Sequence, residues 1–508
     1  MPGKTPMSDE PRKPEREVHF YVPAHLEPPE LRGFSVLETN RVTLTAVYWD
    51  TCHRGLLGWG HTVRHRTASD GSESGWTVKF GQDDANGAVV RDEIAFDGDP
   101  SQPPEELCSL IRAFIRHKPL QPIATIITDR RSQQLRGNDE HGVVEVADDL
   151  VRSWVGGNEG PSFREIEVEL IEGDEDLLVD VAQILRKAGV GEPDPASKLE
   201  RVLGGRPKCE LEPVKLTRGA SIAELVSAAF SNSTRHLILN DPGVRLGDHP
   251  EAVHDARVST RRLRSDLKTL LPLLDESAVT LLRDELQWLG GSLGAVRDTD
   301  VLAEGLCHLS KKLHSEDSLP IESLVGQVHQ ERQERYVTLR NNLNDDRYIT
   351  LLETLVRFAF RAPLVLPVGA PSTARRIGVK LARKAWKRVR KQVDGLGPDP
   401  QDAALHELRK RVKRARYAAE LIDPLGHGGA SDFAVQLADL QDVLGQLQDS
   451  VVADHWLRSR LARVVTSREA FAAGALHARE LRQRAKARRR WRSVWNKSRR
   501  AKLRSWMD

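Results

Sequence analysis

The sequence predicts two regions of different class, a β-rich N-terminal half and an all-α C-terminal half built of repeated helical units. Three observations predict this. Short runs with period-two alternation of apolar and charged residues recur from Glu15 to Leu170. A basic stretch with helical spacing at His254–Lys268 returns at His406–Glu420, offset by 152 residues. The halves also carry opposite charge. Residues 1–210 hold 25 Lys/Arg against 37 Asp/Glu and residues 211–508 hold 51 against 36, so the overall +3 hides an acidic front and a basic back with different partners.

The length of 508 residues gives ample core for two or more domains. Four cysteines lie scattered, none paired at metal-ligand spacing, which fits a reducing compartment without a disulfide framework. No apolar run approaches the ~18 residues of a membrane span. Met1–Pro14 is polar and proline-rich, unlike a signal peptide. The expectation is a cytoplasmic chain with no membrane partner.

Residues 1–13 read as a disordered lead. At Glu15–Val22, Glu15, Glu17 and His19 share one strand face, with Val18, Phe20 and Val22 on the other. Residues 29–37 suit a short helix and Thr43–Trp49 a strand. Gly60–Arg66, with Arg64 and Arg66 on one face, Trp76–Phe80 with Lys79, and Val89–Ile94 with Arg91 and Glu93 read as three more. A helix over 104–117 precedes strands at Ile123–Arg131 and Val143–Ala147. Phe163–Leu170 then puts Glu165, Glu167 and Glu169 on one face; a helix near 175–188 and a loop with Ser197-Lys198-Leu199 end the half. Taken singly, each strand is a half-buried strand with a solvated charged face. Taken together they mix signs: acids at Glu15, Glu17, Glu93, Glu145 and Glu165–Glu169, bases at Arg64, Arg66, Lys79, Arg91 and Arg130. Closing such a sheet with the charged face inward makes a tunnel. Its carboxylates suit hard divalent cations, and its Arg and Lys suit phosphate oxygens.

Residues 15–200 resemble a CYTH domain, the triphosphate tunnel metalloenzyme fold. The motifs that carry the resemblance run in order: Glu15-x-Glu17-x-His19, Tyr48-Trp49-Asp50-Thr51, Arg64-x-Arg66, Trp76 with Lys79, Glu93, Glu145 with Asp148, Glu165-x-Glu167-x-Glu169, and Ser197-Lys198-Leu199. The resemblance implies an eight-stranded antiparallel tunnel that hydrolyses inorganic tripolyphosphate or thiamine triphosphate, or cyclises ATP, with Mg²⁺ or Mn²⁺. It implies Glu15, Glu17 and His19 as catalytic groups and Glu145, Glu165, Glu167 and Glu169 as metal ligands. Arg64, Arg66, Lys79, Arg91, Arg130 and Lys198 become the triphosphate clamp. Two positions depart from the pattern. His19 stands where the family motif has lysine, and a histidine is mostly neutral near pH 7. Ile127 stands where a further base is common. The sequence therefore leaves open a degenerate tunnel that binds without turnover.

Gly204-Gly205-Arg206-Pro207 reads as the start of a linker over 204–217, and a helix is expected from Ser221. On a helix, His254, Arg257, Arg261, Arg264 and Lys268 fall within about 80° of one another; His406, Arg409, Lys413 and Arg416 repeat the stripe, with Glu420 in place of Lys268. Stacked like charges repel, so each face calls for a polyanion or acidic partners. Pro250 and Pro400 suit helix starts. Downstream of each stripe, Gly294 and Asp298 recur as Gly445 and Asp449; the glycines suggest close helix packing, and the acids either orient the basic helices or serve as a cap or plain surface residues. The histidines either contact phosphate or fix the helix start. The tail Arg479–Arg504, with Trp491, Trp495 and Trp506 interleaved, is either a polyanion-binding stretch or a final helix whose tryptophans dock on the bundle.

These residues resemble a CHAD domain, a conserved-histidine α-helical domain, over roughly 218–505. The resemblance implies two pseudo-symmetric four-helix bundles whose basic groove binds inorganic polyphosphate, often beside a CYTH domain, and sometimes on polyphosphate granules. The expected organisation is a lead (1–13), a CYTH domain (14–203), a linker (204–217) and a CHAD domain (218–505). Against this stand a non-enzymatic polyphosphate-binding protein and a nucleic-acid binder using the basic half.

Overall fold

A computed structural model describes residues 13–23, 26, 31, 33–82, 89–137, 142–247, 249–310, 315–366, 373–461 and 466–507; at 13–15, 82, 89–91, 309–310, 315–320 and 460–461 the description is of the backbone alone. The chain divides into two compact units after Glu210.

The first unit holds strands β1 (Lys13–Val22), β2 (Phe34–Asp50), β3 (His61–Ala68), β4 (Ser74–Gln82), β5 (Val89–Phe96), β6 (Gln121–Gly137), β7 (Gly142–Val155), β8 (Asn158–Glu159) and β9 (Phe163–Gly173). Their order is β6-β2-β3-β4-β5-β1-β9-β7-β8, every ladder is antiparallel, and β6 also pairs with β7. Eight strands therefore close into a barrel, and β8 is a short appendage. Strand β1 sits between β5 and β9: Glu15 lies opposite Arg91, and His19 opposite Glu167.

Alternation decides what faces inward. The apolar parity of β1, β7 and β9 (Val18, Phe20, Val144, Ile166 and Val168) packs outward beneath Leu178, Val181 and Leu185 of helix α4 (Asp176–Lys187). Each such side chain removed from water contributes roughly 1.5–3 kcal/mol. That burial commits the charged parity to the barrel interior, because a one-residue slip would exchange the faces.

Helices α1 (Gly55–Gly58), α2 (Glu105–Leu110), α3 (Arg112–Ile115) and α5 (Lys198–Val202) complete the unit. Two expectations change here. The helix expected over 29–37 gives way at Phe34, where β2 begins; 27–30 and 32 lie outside the described residues. The loop expected at Ser197–Leu199 is the start of α5. Ser197 Oγ accepts from Glu200 N–H at 3.3 Å, and Glu200 accepts from Ser197 N–H at 2.7 Å. This capping box satisfies orphan donors at the helix start. Asp50 is also structural: buried, it accepts from the N–H groups of Thr51, Leu56 and Leu57 and fixes α1.

The second unit is helical: α6 (Ile222–Leu246), α7 (Pro250–Leu270), α8 (Glu276–Ser310), α9 (Ser315–Asn344), α10 (Asp346–Arg361), α11 (Ala374–Asp394), α12 (Asp402–Ile422), α13 (Ala430–Leu461) and α14 (Ser467–Ser498). Ser221 caps α6 with Glu224 in a second capping box. The repeat is visible in detail. Helices α7 and α12 each end in a short 3-10 turn, Leu271–Leu273 and Asp423–Leu425, with proline second in both. Trp491 and Trp495 are buried, and Trp495 lies 5.1 Å from Trp386 of α11. The tail thus ends in a docked helix: Arg488 pairs with Asp399 and Asp402, and Arg484 with Asp402. Among the described residues, no helix is long and apolar enough to cross a membrane.

Candidate functional site

The barrel interior holds a cavity of about 110 Å³, lined among others by Glu17, His19, Arg64, Arg66, Lys79, Arg130, Glu167, Glu169 and Lys198. Its acidic pole is built from β1, β7 and β9. Register places Glu165 opposite Asp149, Glu167 opposite Ala147 and Glu169 opposite Glu145, so these share one face. Two triads have ligand atoms within 4.8 Å of one another: Glu17, His19 and Glu167, and Asp149, Glu165 and Glu167.

Fixed cations balance the carboxylates. The Lys198 ammonium lies 2.9 Å from Asp149, 2.6 Å from Glu165 and 2.5 Å from Glu167. Arg130 grips Asp149 through two nitrogens at 2.9 and 2.7 Å and also bonds Glu167. Burial works against ionised Glu167, but Lys198, Arg130 and His19 outweigh it and hold its pKa well below the usual carboxylate range. Burial pushes Glu165 up instead, reinforced by Glu167 and opposed by Lys198. Neither Glu165 oxygen has an aligned hydrogen bond. Glu165 is held by its ion pair with Lys198, and the clustered carboxylate oxygens of Glu17, Asp149, Glu165 and Glu167 are the kind of donors a hard divalent cation takes.

His19 departs from the expectation of neutrality. Burial disfavours its charge, but Glu17 at 3.1 Å and Glu167 at 3.3 Å overcome this and raise its pKa to about 9. The imidazolium supplies the positive charge that lysine would.

The basic pole lies on β3 and β4. Arg64 and Lys79 share Glu93 of β5, at 3.9 and 2.7 Å, and Arg66 pairs with Glu73 at 2.5 Å. Burial opposes the charge on Arg64, but Tyr48 and Glu93 raise its pKa.

The structure thus brings Glu17, His19, Arg64, Arg66, Lys79, Arg130, Glu167, Glu169 and Lys198 to one cavity, with Glu165 behind them in the second triad. Glu145 shares the inward parity and adds to the field at Arg130, but neither it nor Glu169 belongs to a triad. Glu15 and Arg91 sit opposite each other in the β1–β5 ladder; their side chains lie outside the described residues. Sequence reasoning missed Asp149. Asp148, quoted in its place, pairs with Arg164 at 2.7 Å. Counting by twos from Glu145 reaches Asp149, so the signal was present. The same parity puts Ile126 and Thr128, which line the cavity, on the inner face in place of Ile127.

In the second unit α7 and α12 bring their basic stripes together. Burial, then Arg261, Arg409, Arg257 and Arg416, depress Lys413 to about 6. Tyr417, unnoticed in the sequence, hydrogen-bonds Arg261 at 3.0 Å and lies under Arg416 at 4.8 Å. Arg257 reaches Asp298 of α8 at 3.0 Å, and Asp449 of α13 is the acid that most favours the charge of Arg409, which burial opposes. The paired glycines have a sharper role than helix packing: a Cβ at Gly294 would lie 3.5 Å from Arg257 Nε, and one at Gly445 3.3 Å from Arg409 Nη2. The guanidinium groups of Arg257 and Arg409 thus lie beside the bare backbone of α8 and α13, more tightly at Gly445 than at Gly294. His406 lines a cavity of about 310 Å³ with Arg257, Arg409 and Lys413; His254 is half-buried at the matching place on α7. Arg264 bonds Gln287 at 3.1 Å, and Lys268 is exposed beyond it. Glu420 binds Arg262 at 2.9 Å and Arg416 at 3.3 Å, so that end of the second stripe is partly neutralised.

A barrel with an inward charged face, followed by a twice-repeated helical unit, defines a chain with a CYTH domain at residues 13–203 and a CHAD domain at residues 228–458, and the chain belongs to the proteins that combine the two. An uncharacterized protein of Mycobacterium tuberculosis is 33% identical over 470 residues, covering 86% of each chain. Among solved structures, the CHAD domain from the plant Ricinus communis is 25% identical, with a TM-score of 0.46 over 56% of this chain and 95% of that one. PptA from Streptomyces chartreusis is 22% identical, with a TM-score of 0.45 over 55% of this chain and all of that one.

Proposed function

We propose that the barrel hydrolyses a triphosphate, inorganic tripolyphosphate foremost, with Mg²⁺ or Mn²⁺, and that the α7–α12 groove binds inorganic polyphosphate. The observation that carries the first part is the meeting, in one barrel cavity, of the Glu17–His19–Glu167 triad with a cluster of Arg and Lys, the second triad joining it through Glu167. Glu17, Asp149, Glu165 and Glu167 would hold the metal. Bound there, it supplies charge neutralisation on phosphoryl oxygens and an acidified water. The chain's own residues position the anion. Arg64, Arg66 and Lys79 take phosphate oxygens at one pole, and Arg130 and Lys198 at the other, so that charge developing in transfer meets preorganised cations. His19 keeps Glu17 and Glu167 ionised and oriented. The barrel wall limits access of bulk water.

The test is phosphate release from pyrophosphate, tripolyphosphate, ATP and thiamine triphosphate with each metal. Turnover of tripolyphosphate that is lost in the Glu165→Ala/Glu167→Ala variant supports the reading. Equal release by both proteins overturns it in favour of a binding tunnel, and cyclic AMP formed from ATP would keep the fold and change the reaction. For the groove, Arg257→Glu/Arg261→Glu/Arg264→Glu should abolish polyphosphate binding while leaving tripolyphosphate turnover nearly intact.

A further inference from the structure

The outer face of α11 is a basic surface of the second unit that the groove does not use. This helix buries Gly378, Leu381, Ala385, Trp386 and Val389 against the bundle. On the opposite side Arg376, Lys380, Lys384, Lys387 and Lys391 fall within about 80° of one another, along about 22 Å of helix. All five are exposed, and among the described residues none pairs with a carboxylate. The helix holds nine Lys/Arg and one acid, Asp394. Like charges one turn apart destabilise a helix, so the face carries a cost that packing does not explain.

The pseudo-symmetry supplies an internal control. Helix α6 precedes α7 as α11 precedes α12, yet its 25 residues carry two Lys/Arg and two Asp/Glu. The position in the bundle therefore does not require such a face.

The surface is continuous with the groove. The Arg388 carbonyl of α11 accepts from Arg411 of α12 at 3.4 Å. Beyond burial, Arg388 and Arg411 depress Arg414, and Arg414, Arg264, Arg283 and Lys410 depress Lys268. Cations thus run from the α7 stripe across α12 to α11. Glu407, paired with Lys410 at 2.7 Å, is an acid along that path. The one aromatic of α11, Trp386, is 3% exposed and turned into the core. Binding of single-stranded nucleic acid relies on exposed stacking platforms; this face offers charge alone, which suits a polyanion without bases.

We propose that α11 is an outer rail that carries inorganic polyphosphate onward from the groove, so that long chains engage α7, α12 and α11 together while short chains engage the groove alone. This rests on the groove reading above. The test compares the full chain with Lys380→Glu/Lys384→Glu/Lys387→Glu and with Lys380→Gln/Lys384→Gln/Lys387→Gln, using inorganic polyphosphate of about 10 and about 100 phosphates and a DNA duplex at several salt concentrations. The expected result is a loss of about tenfold or more in affinity for the long chain, larger for Glu than for Gln, with a shallower salt dependence and unchanged short-chain binding. Unchanged long-chain affinity in both variants overturns the rail while leaving the groove standing. Failure of the wild-type chain to bind either length overturns the groove reading itself. Loss of duplex binding with polyphosphate binding intact would assign the face to nucleic acid and also overturn the rail.

Discussion

Polyphosphate binding in the proposed groove should draw in a proton through Lys413. In the free protein its pKa is about 6, because burial and the charges of Arg261, Arg409, Arg257 and Arg416 disfavour a further cation. Asp449 is the acid that feels its charge. At pH 8 the amine is then roughly 99% neutral. A bound polyanion reverses the sign of the local field and restores the pKa toward the ordinary value of about 10.5. Binding at pH 8 should therefore take up close to one proton through Lys413. Affinity should fall about tenfold, or about 1.4 kcal/mol, per pH unit above 6, and flatten below 6 where the free protein is already protonated. The assay is calorimetric titration with long-chain polyphosphate in two buffers of different ionisation enthalpy, whose difference counts protons. Lys413→Met, which cannot titrate, should lose the uptake, and Lys413→Arg should bind with little pH dependence. Equal proton uptake by wild type and Lys413→Met would refute the reasoning.

Three further outcomes are expected. Asp266 is buried with no hydrogen bond to either oxygen, and burial, opposed by Arg262, raises its pKa to about 7. A raised carboxyl pKa lowers stability as pH climbs from about 4 to 7, so Asp266→Asn should stabilise the fold by about 1–3 kcal/mol at pH 8 and little at pH 4, read by thermal unfolding. Gly445→Ala should favour the α13 helix intrinsically by up to about 1 kcal/mol, yet weaken polyphosphate binding because its Cβ meets the Arg409 guanidinium; lowered stability with unchanged binding would contradict this. Ser197→Ala should remove the α5 cap, costing about 1 kcal/mol, and lower tripolyphosphate turnover more than it raises KM, since Lys198 is the first residue of that helix.

Much of this arrangement is legible in the sequence because it follows from period. Alternation marked the inward faces of β1, β3, β4 and β9, and helical spacing marked the α7 and α12 stripes. The misses have physical causes. Asp148 and Asp149 are alike in composition and differ only in parity, which the register fixes. The Ser197-x-x-Glu200 spacing is a capping signal, but the helix it starts is only five residues long, too short to show a helical period. The Phe34 start of β2 was hidden because its first residues are exposed on both faces and lack alternation. The free pKa of histidine predicts a neutral His19; Glu17 stands two residues away on the same strand, but Glu167, the second carboxylate that charges it, comes from β9, far away in sequence. Tyr417 had no local signal, since its role arises where α7 crosses α12.

The position of β1 between β5 and β9 has a consequence for how the protein comes into being. The first strand made is the one that closes the ring, and its β9 ladder cannot form until Phe163–Gly173 has left the ribosome. Until then β1, even when paired with β5, presents a free edge, a hazard that closure removes. Pairing of residue 19 with residue 167 is also a long-range contact, slow to form and late to be rewarded. Glu17 and His19 therefore reach Glu167 only when the barrel is whole. Catalytic competence in this half should appear as the last event of folding, which makes turnover a sensitive reporter of a fully seamed barrel.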